Sequence, residues 1–111
     1  MPAIRWAFRQ LHVQLRIHAH IEMVEEGLSL EDVLNAGAEA DLLEDYPERN
    51  EGHTLLLLGH TADQVPIHIV VNIAAFNSDP QYPIHLVTVY EPRSPGWQDE
   101  RTRGRIGGIH E

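Results

Sequence analysis

Between Pro2 and about Val13, the apolar residues Ile4, Ala7, Phe8, Leu11 and Leu15 recur at the spacing of an amphipathic helix. Pro2 suits its first turn, and Arg5, Arg9 and His12 follow another side, three and four residues apart. A second helical stretch runs from about His18 to Glu26, with Gly27 placed to terminate it. Ser29 followed by Asp32 has the form of a capping box with Asp in the Glu position, opening a third helix through about Ala36 that Gly37 can close.

The period then changes. Ala40 to Tyr46 reads as a strand ending at Pro47, and Glu48 to Gly52 as a polar turn. His53 to His60, with four consecutive leucines, reads as a buried strand, and Thr61 to Gln64 as the next turn. In Val65 to Ile73 the residues Ile67, Ile69, Val71 and Ile73 share one face, opposite His68, Val70 and Asn72. Residues 77–83 read as a turn. Ile84 to Glu91 is a fourth strand, with Ile84, Leu86, Thr88 and Tyr90 opposite His85, Val87 and Val89. From Pro92 onward, Pro95, Gly96, Gly104, Gly107 and Gly108 argue against regular structure, with Trp97 as an anchor. Helices first and strands after predict an α+β domain, its amino-terminal helices packed on a mainly antiparallel four-stranded sheet. The 111 residues suffice for one domain, with a core over about residues 3–103 and a flexible tail over 104–111.

Composition changes this picture by exclusion. The absence of cysteine removes disulfides, thiolate zinc sites and cysteine nucleophiles. No apolar run has the roughly 18 residues that span a bilayer, and no signal-peptide core opens the chain, so the expected location is cytoplasmic, away from membranes. The net charge of -9 is unevenly placed: residues 22–51 hold 11 acidic residues against the single Arg49, whereas residues 1–21 hold Arg5, Arg9 and Arg16 and no acid. A globally acidic chain is a poor non-specific nucleic-acid binder, although the arginine-bearing ends leave room for a local site.

The most suggestive chemistry is histidine with arginine: His18 and Arg16 at the second helix, His68 and His85 on strands, Arg101 and Arg103 beyond Trp97. Metal-free RNA cleavage needs groups that move protons and cations that meet the charged phosphorane, which histidine, tyrosine and arginine supply. Tyr90 and Trp97 either complete the edge of the core or form a base-stacking platform beside Arg101. His18 and Glu22 share a helical face at i, i+4, but no His-Glu-x-x-His motif accompanies them, and neither a metal nor another cofactor is expected. No phosphate-binding glycine loop, dinucleotide fingerprint or nucleophile elbow occurs.

The order of motifs resembles the bacterial and archaeal family known as domain of unknown function 4258. It is carried by His18-Ala19, Met23, Gly27-Leu28-Ser29, Asp45-Tyr46-Pro47, Leu58-Gly59, the run from Pro66 to Val71, Thr88-Val89-Tyr90-Glu91-Pro92, Trp97 and Arg101. That family is similar to small RelE-like and BrnT-like ribonuclease toxins, and its members are often paired with a zinc-finger antitoxin. The resemblance therefore implies a RelE/BrnT-like fold and a metal-independent endoribonuclease of a toxin–antitoxin system, with RNA as substrate and an antitoxin as partner. In that role His18 would be general acid or base, Arg16 and Arg101 would bind phosphate, and Tyr90 and His68 would position or stack the substrate. One departure bears on this: where the family carries Arg before Met23, this chain has Glu22. The alternative is a non-catalytic protein-binding module of the same fold with a degraded active site, its acidic middle contacting a basic partner. A homodimer through an exposed sheet edge is the third expectation.

Overall fold

The computed structural model of the chain describes residues 1–93 and 96–104. The expected flexibility of residues 105–111 lies outside the described residues, and Gly104 is tied back by its N–H to the Gly96 carbonyl.

Helix α1 (Pro2–Arg9) buries Ile4, Ala7 and Phe8. It is shorter than its apolar periodicity suggests, because Leu11 takes a left-handed conformation (φ 59°) and turns the chain into a short strand, β1 (Val13–Leu15). Helix α2 (Ile17–Glu26) stops at Gly27, whose φ of 70° is the left-handed cap expected of glycine. Helix α3 (Leu30–Ala38) opens on a complete capping box: the Ser29 hydroxyl accepts from the Asp32 N–H at 3.0 Å and the Asp32 carboxylate accepts from the Ser29 N–H at 2.9 Å. Gly37 does not end α3. It is buried within it, and a Cβ there would lie 2.3 Å from the Phe8 ring, so its missing side chain lets α1 and α3 approach.

Strands β2 (Asp41–Tyr46), β3 (Thr54–His60), β4 (Pro66–Asn72) and β5 (Ile84–Tyr90) follow, with a short helix α4 (Ala74–Ser78) where the sequence pattern carries into a turn. The sheet has five strands in the order β1-β5-β4-β3-β2, not four. It is mixed: β1 pairs parallel with β5, while the other neighbours are antiparallel. Three residues paired about 70 positions away, with no local hairpin, leave no pattern in the sequence to announce a strand.

One face of the sheet carries Leu55, Leu57, Ile67, Ile69, Val71, Ile84, Leu86 and Val89, buried with Phe8, Val33 and Ala36 of α1 and α3. Gly59 lets α3 rest on β3, since a Cβ would stand 2.6 Å from the Ala36 carbonyl oxygen. The expected alternation of β4 holds, but that of β5 breaks. Val70 pairs with Thr88 and Val71 with Leu86, so Val87 is an extra, bulged residue. The bulge moves Val89 onto the face of Ile84 and Leu86, and moves Thr88 and Tyr90 onto that of His85.

The opposite face therefore carries the sheet's polar side chains, mixed with Leu56, Leu58 and Val70, in rows read off the register: Asp41, Leu58, His68 and Tyr90; then Glu44, Leu56, Val70 and Thr88; then Tyr46, Thr54, Asn72 and His85. The segment 96–104 covers the first row, held by the bridge between Trp97 and Arg103. Helix α2 lies beside β5, where Glu22 accepts from the Thr88 hydroxyl and Glu26 from the Glu91 N–H.

Candidate functional site

The polar sheet face gathers the chemistry-bearing side chains, but into separate groups. In the first row, His68 is fully buried beneath Trp97, their rings edge-to-face at 4.3 Å. Its Nε2 lies 2.6 Å from the Glu100 carbonyl oxygen, an acceptor only, so the ring proton sits on Nε2 and donates there. Nδ1 is then an acceptor, and the Tyr90 hydroxyl donates to it at 3.3 Å. Burial holds the His68 pKa below its ordinary value against the opposing pull of the Glu100 carbonyl, and burial raises that of Tyr90. This arrangement clamps the 96–104 segment onto the sheet and leaves His68 no free nitrogen.

Beside the clamp, Arg103 lies over the Trp97 ring at 4.6 Å and forks onto Glu44 at 2.7 and 3.1 Å. The Tyr46 hydroxyl also bonds Glu44. Arg103 holds the Glu44 carboxyl below its usual range despite partial burial, and the Arg103 pKa is raised in turn. Glu44, Tyr46, Arg49, Val70, Tyr90 and Arg103 are among the residues lining a cavity of about 180 Å³ on this face. Arg101 reaches Asp41 at 2.9 Å, and the hydrogen bond lowers the Asp41 pKa. Arg101 and Arg103 are thus committed to carboxylates of the acidic strand β2.

The remaining group lies at the far end of the face. Arg16, just before α2, donates from Nε to Nδ1 of His85 at 3.2 Å, across 69 residues of sequence. A guanidinium N–H only donates, so Nδ1 of His85 is unprotonated and its proton sits on Nε2. Partial burial, and then the Arg16 charge, lower the His85 pKa. Glu22 is held to the same strand as His85 by its 3.1 Å bond from Thr88.

His18 is exposed on the first turn of α2, at the β5 side, whereas Arg101 is bound to β2, three strands away. At about 4.8 Å per strand spacing this is roughly 14 Å or more. Of the expected site residues, Tyr90 and His68 come together, Arg16 joins His85 instead, Arg101 binds Asp41 of β2, and His18 is exposed on α2. The Arg16–His85 pairing escapes sequence reasoning because its two halves are joined only by the β1–β5 crossover. A signal was present in the alternation that put His85 on a strand face. Among the described residues, no three of His, Asp and Glu gather as a metal site would need.

A family model described as a domain of unknown function (DUF4258) matches residues 15–91. The chain belongs to this family. The DUF4258 span takes in Arg16, His18, His68, His85 and Tyr90 but ends before Trp97, Arg101 and Arg103. The segment that clamps His68 and supplies two arginines to β2 thus lies beyond the family match. No curated protein and no solved structure matches the chain. Among the described residues, no helix is long and apolar enough to cross a membrane.

Proposed function

We propose that this DUF4258 chain is a protein-binding module, acting in the cytoplasm, related to RelE-like and BrnT-like ribonuclease toxins but without their cleavage chemistry. The observation that carries this reading is the dispersal of the residues expected to cleave RNA. His18 and Arg101 stand three strands apart, Arg101 and Arg103 are neutralised by Asp41 and Glu44, and His68 spends both nitrogens on the clamp. A phosphorane needs cation and proton donor within hydrogen-bond reach of one point. Glu22 adds a carboxylate where phosphate would approach. A basic protein partner, such as a zinc-finger antitoxin, would meet the acidic stretch 22–51.

A second reading keeps the ribonuclease and rests on the Arg16–His85 pair, which presents a cation and an imidazole N–H together on the open end of the sheet face. The test is incubation of the purified chain with mixed RNA, with and without ribosomes, beside His18→Ala and His85→Ala. The binding-module reading expects no cleavage by any of the three. Cleavage by the wild-type chain that either substitution abolishes would establish the ribonuclease.

A further inference from the structure

Helix α2 presents apolar residues on two opposite sides. Ala19 and Met23 are buried in the core, and Glu22 and Glu26 hold β5. Away from these, Ile17 (80% exposed), Ile21 (48%) and Val24 (68%) form a second stripe at i, i+4 and i+7. With 3.6 residues per turn, the three fall within an arc of about 60°, diametrically opposed to Ala19 and Met23. A surface helix ordinarily turns charge outward, and an outward apolar stripe at this spacing is what a partner helix covers.

The flank of the stripe identifies the partner. His18 and Glu25, both exposed, lie seven residues apart on the same side of Ile21. When two copies of a helix pack antiparallel about a two-fold axis, equivalent flanks face each other in reversed order. Centred on Ile21, such a pair sets Ile17 against Val24 of the second copy and His18 against Glu25 of the second copy, twice. The helix ends agree: the amino-terminal half carries Arg16 and His18, the carboxy-terminal half Glu22, Glu25 and Glu26, so both charges and helix dipoles are complementary only in the antiparallel sense. The outer strand β2 is a poorer dimer edge, with a bulge at Leu43 and the acids Asp41, Glu44 and Asp45 along it.

We propose that α2 is the interface of a symmetric antiparallel homodimer, in which Ile17, Ile21 and Val24 pack across the two-fold and His18 pairs with Glu25 of the second copy. This goes beyond the binding-module reading and holds whether or not the chain cleaves RNA or binds a further protein.

The test is sedimentation equilibrium of the full chain over a concentration series, with thermal unfolding as the folding control, since every substituted residue is exposed. Wild type shows a concentration-dependent dimer, and Ile21→Asp weakens it by about tenfold or more. The charge pair then fixes the register: His18→Glu and Glu25→Arg each weaken the dimer, and the double variant restores it. A wild-type chain that stays monomeric throughout overturns the proposal, as would occur if another protein covers the stripe. So does a dimer indifferent to Ile21→Asp, or one that the double charge reversal fails to restore.

Discussion

The two faces of the sheet are built from the same four long strands yet are held by different physics. The α1/α3 face is a continuous apolar layer, from Leu55 and Leu57 across Ile69 and Val71 to Leu86 and Val89, and its stability is burial. The other face is an array of polar rows whose order comes from pairings across long stretches of sequence: His68 with Glu100, Arg103 with Glu44, Arg16 with His85. A packed apolar layer tolerates no chemistry, whereas the polar face keeps hydrogen-bonding groups partly exposed, and there the bulge at Val87 decides which side chains meet. The apolar core and the hydrogen-bonded polar groups thus occupy opposite sides of one sheet.

The largest expected effect sharpens this contrast on the apolar side. Leu57→Ala, at a fully buried position, should cost about 4 kcal/mol, read as a fall in the urea midpoint. Trp97→Ala uncovers His68 and should cost about 3 kcal/mol, with the His68 resonances in NMR titration moving toward those of an ordinary histidine. If Trp97→Ala left that titration unchanged, the clamp would not be what buries His68.

The pH dependence separates the faces further. The folded His68 pKa lies below the unfolded value of 6.5, so the unfolded chain takes up the proton first. Stability is full above that value and declines as pH falls through it, with a slope of at most about 1.4 kcal/mol per pH unit from this group. His85, lowered by burial and by Arg16, adds to the same window in the same direction. Unfolding midpoints from pH 7.5 to 5 should show the decline in wild type and a shallower one in His68→Asn. The smallest effect is at the surface pair: Arg101→Ala should cost at most about 1 kcal/mol, because the Asp41–Arg101 bond is solvent-exposed on both sides. A larger loss would mean that the 96–104 segment is held by its ion pairs rather than by Trp97.

Local signals made much of the fold legible. Ser29 with Asp32 marked the start of α3, Gly27 the end of α2, and the alternation from Val65 to Ile73 fixed both faces of β4. What was not legible depends on contacts distant in sequence. The β1 strand exists because Leu11 breaks the helix and β5 accepts a parallel neighbour, and its residue Leu15 fits the helical period of Ile4, Phe8 and Leu11 as well as it fits a strand. One bulged residue in β5 reversed the faces of Thr88, Val89 and Tyr90, which a strict period of two assigns the other way. The candidate site suffered most: residue type marked His18, His68, Tyr90, Arg16 and Arg101 as capable of chemistry, but only the fold shows Arg101 spent on Asp41 and His68 spent on Glu100. His85 was recognisable as a strand histidine within the histidine–arginine set, but not as the partner of Arg16.

The loss of cleavage chemistry proposed here rests on His18 at the β5 side and Arg101 on β2 standing three strand spacings apart. Because the chain contains no cysteine, single cysteines introduced at His18 and Arg101 can carry spin labels without background. Labelled protein diluted into unlabelled chain, so that only intramolecular distances are read, should give one population separated by roughly three strand spacings, about 14 Å or more. Labels in near contact, showing spin exchange rather than dipolar coupling alone, would bring His18 and Arg101 into one cleft and restore the ribonuclease reading.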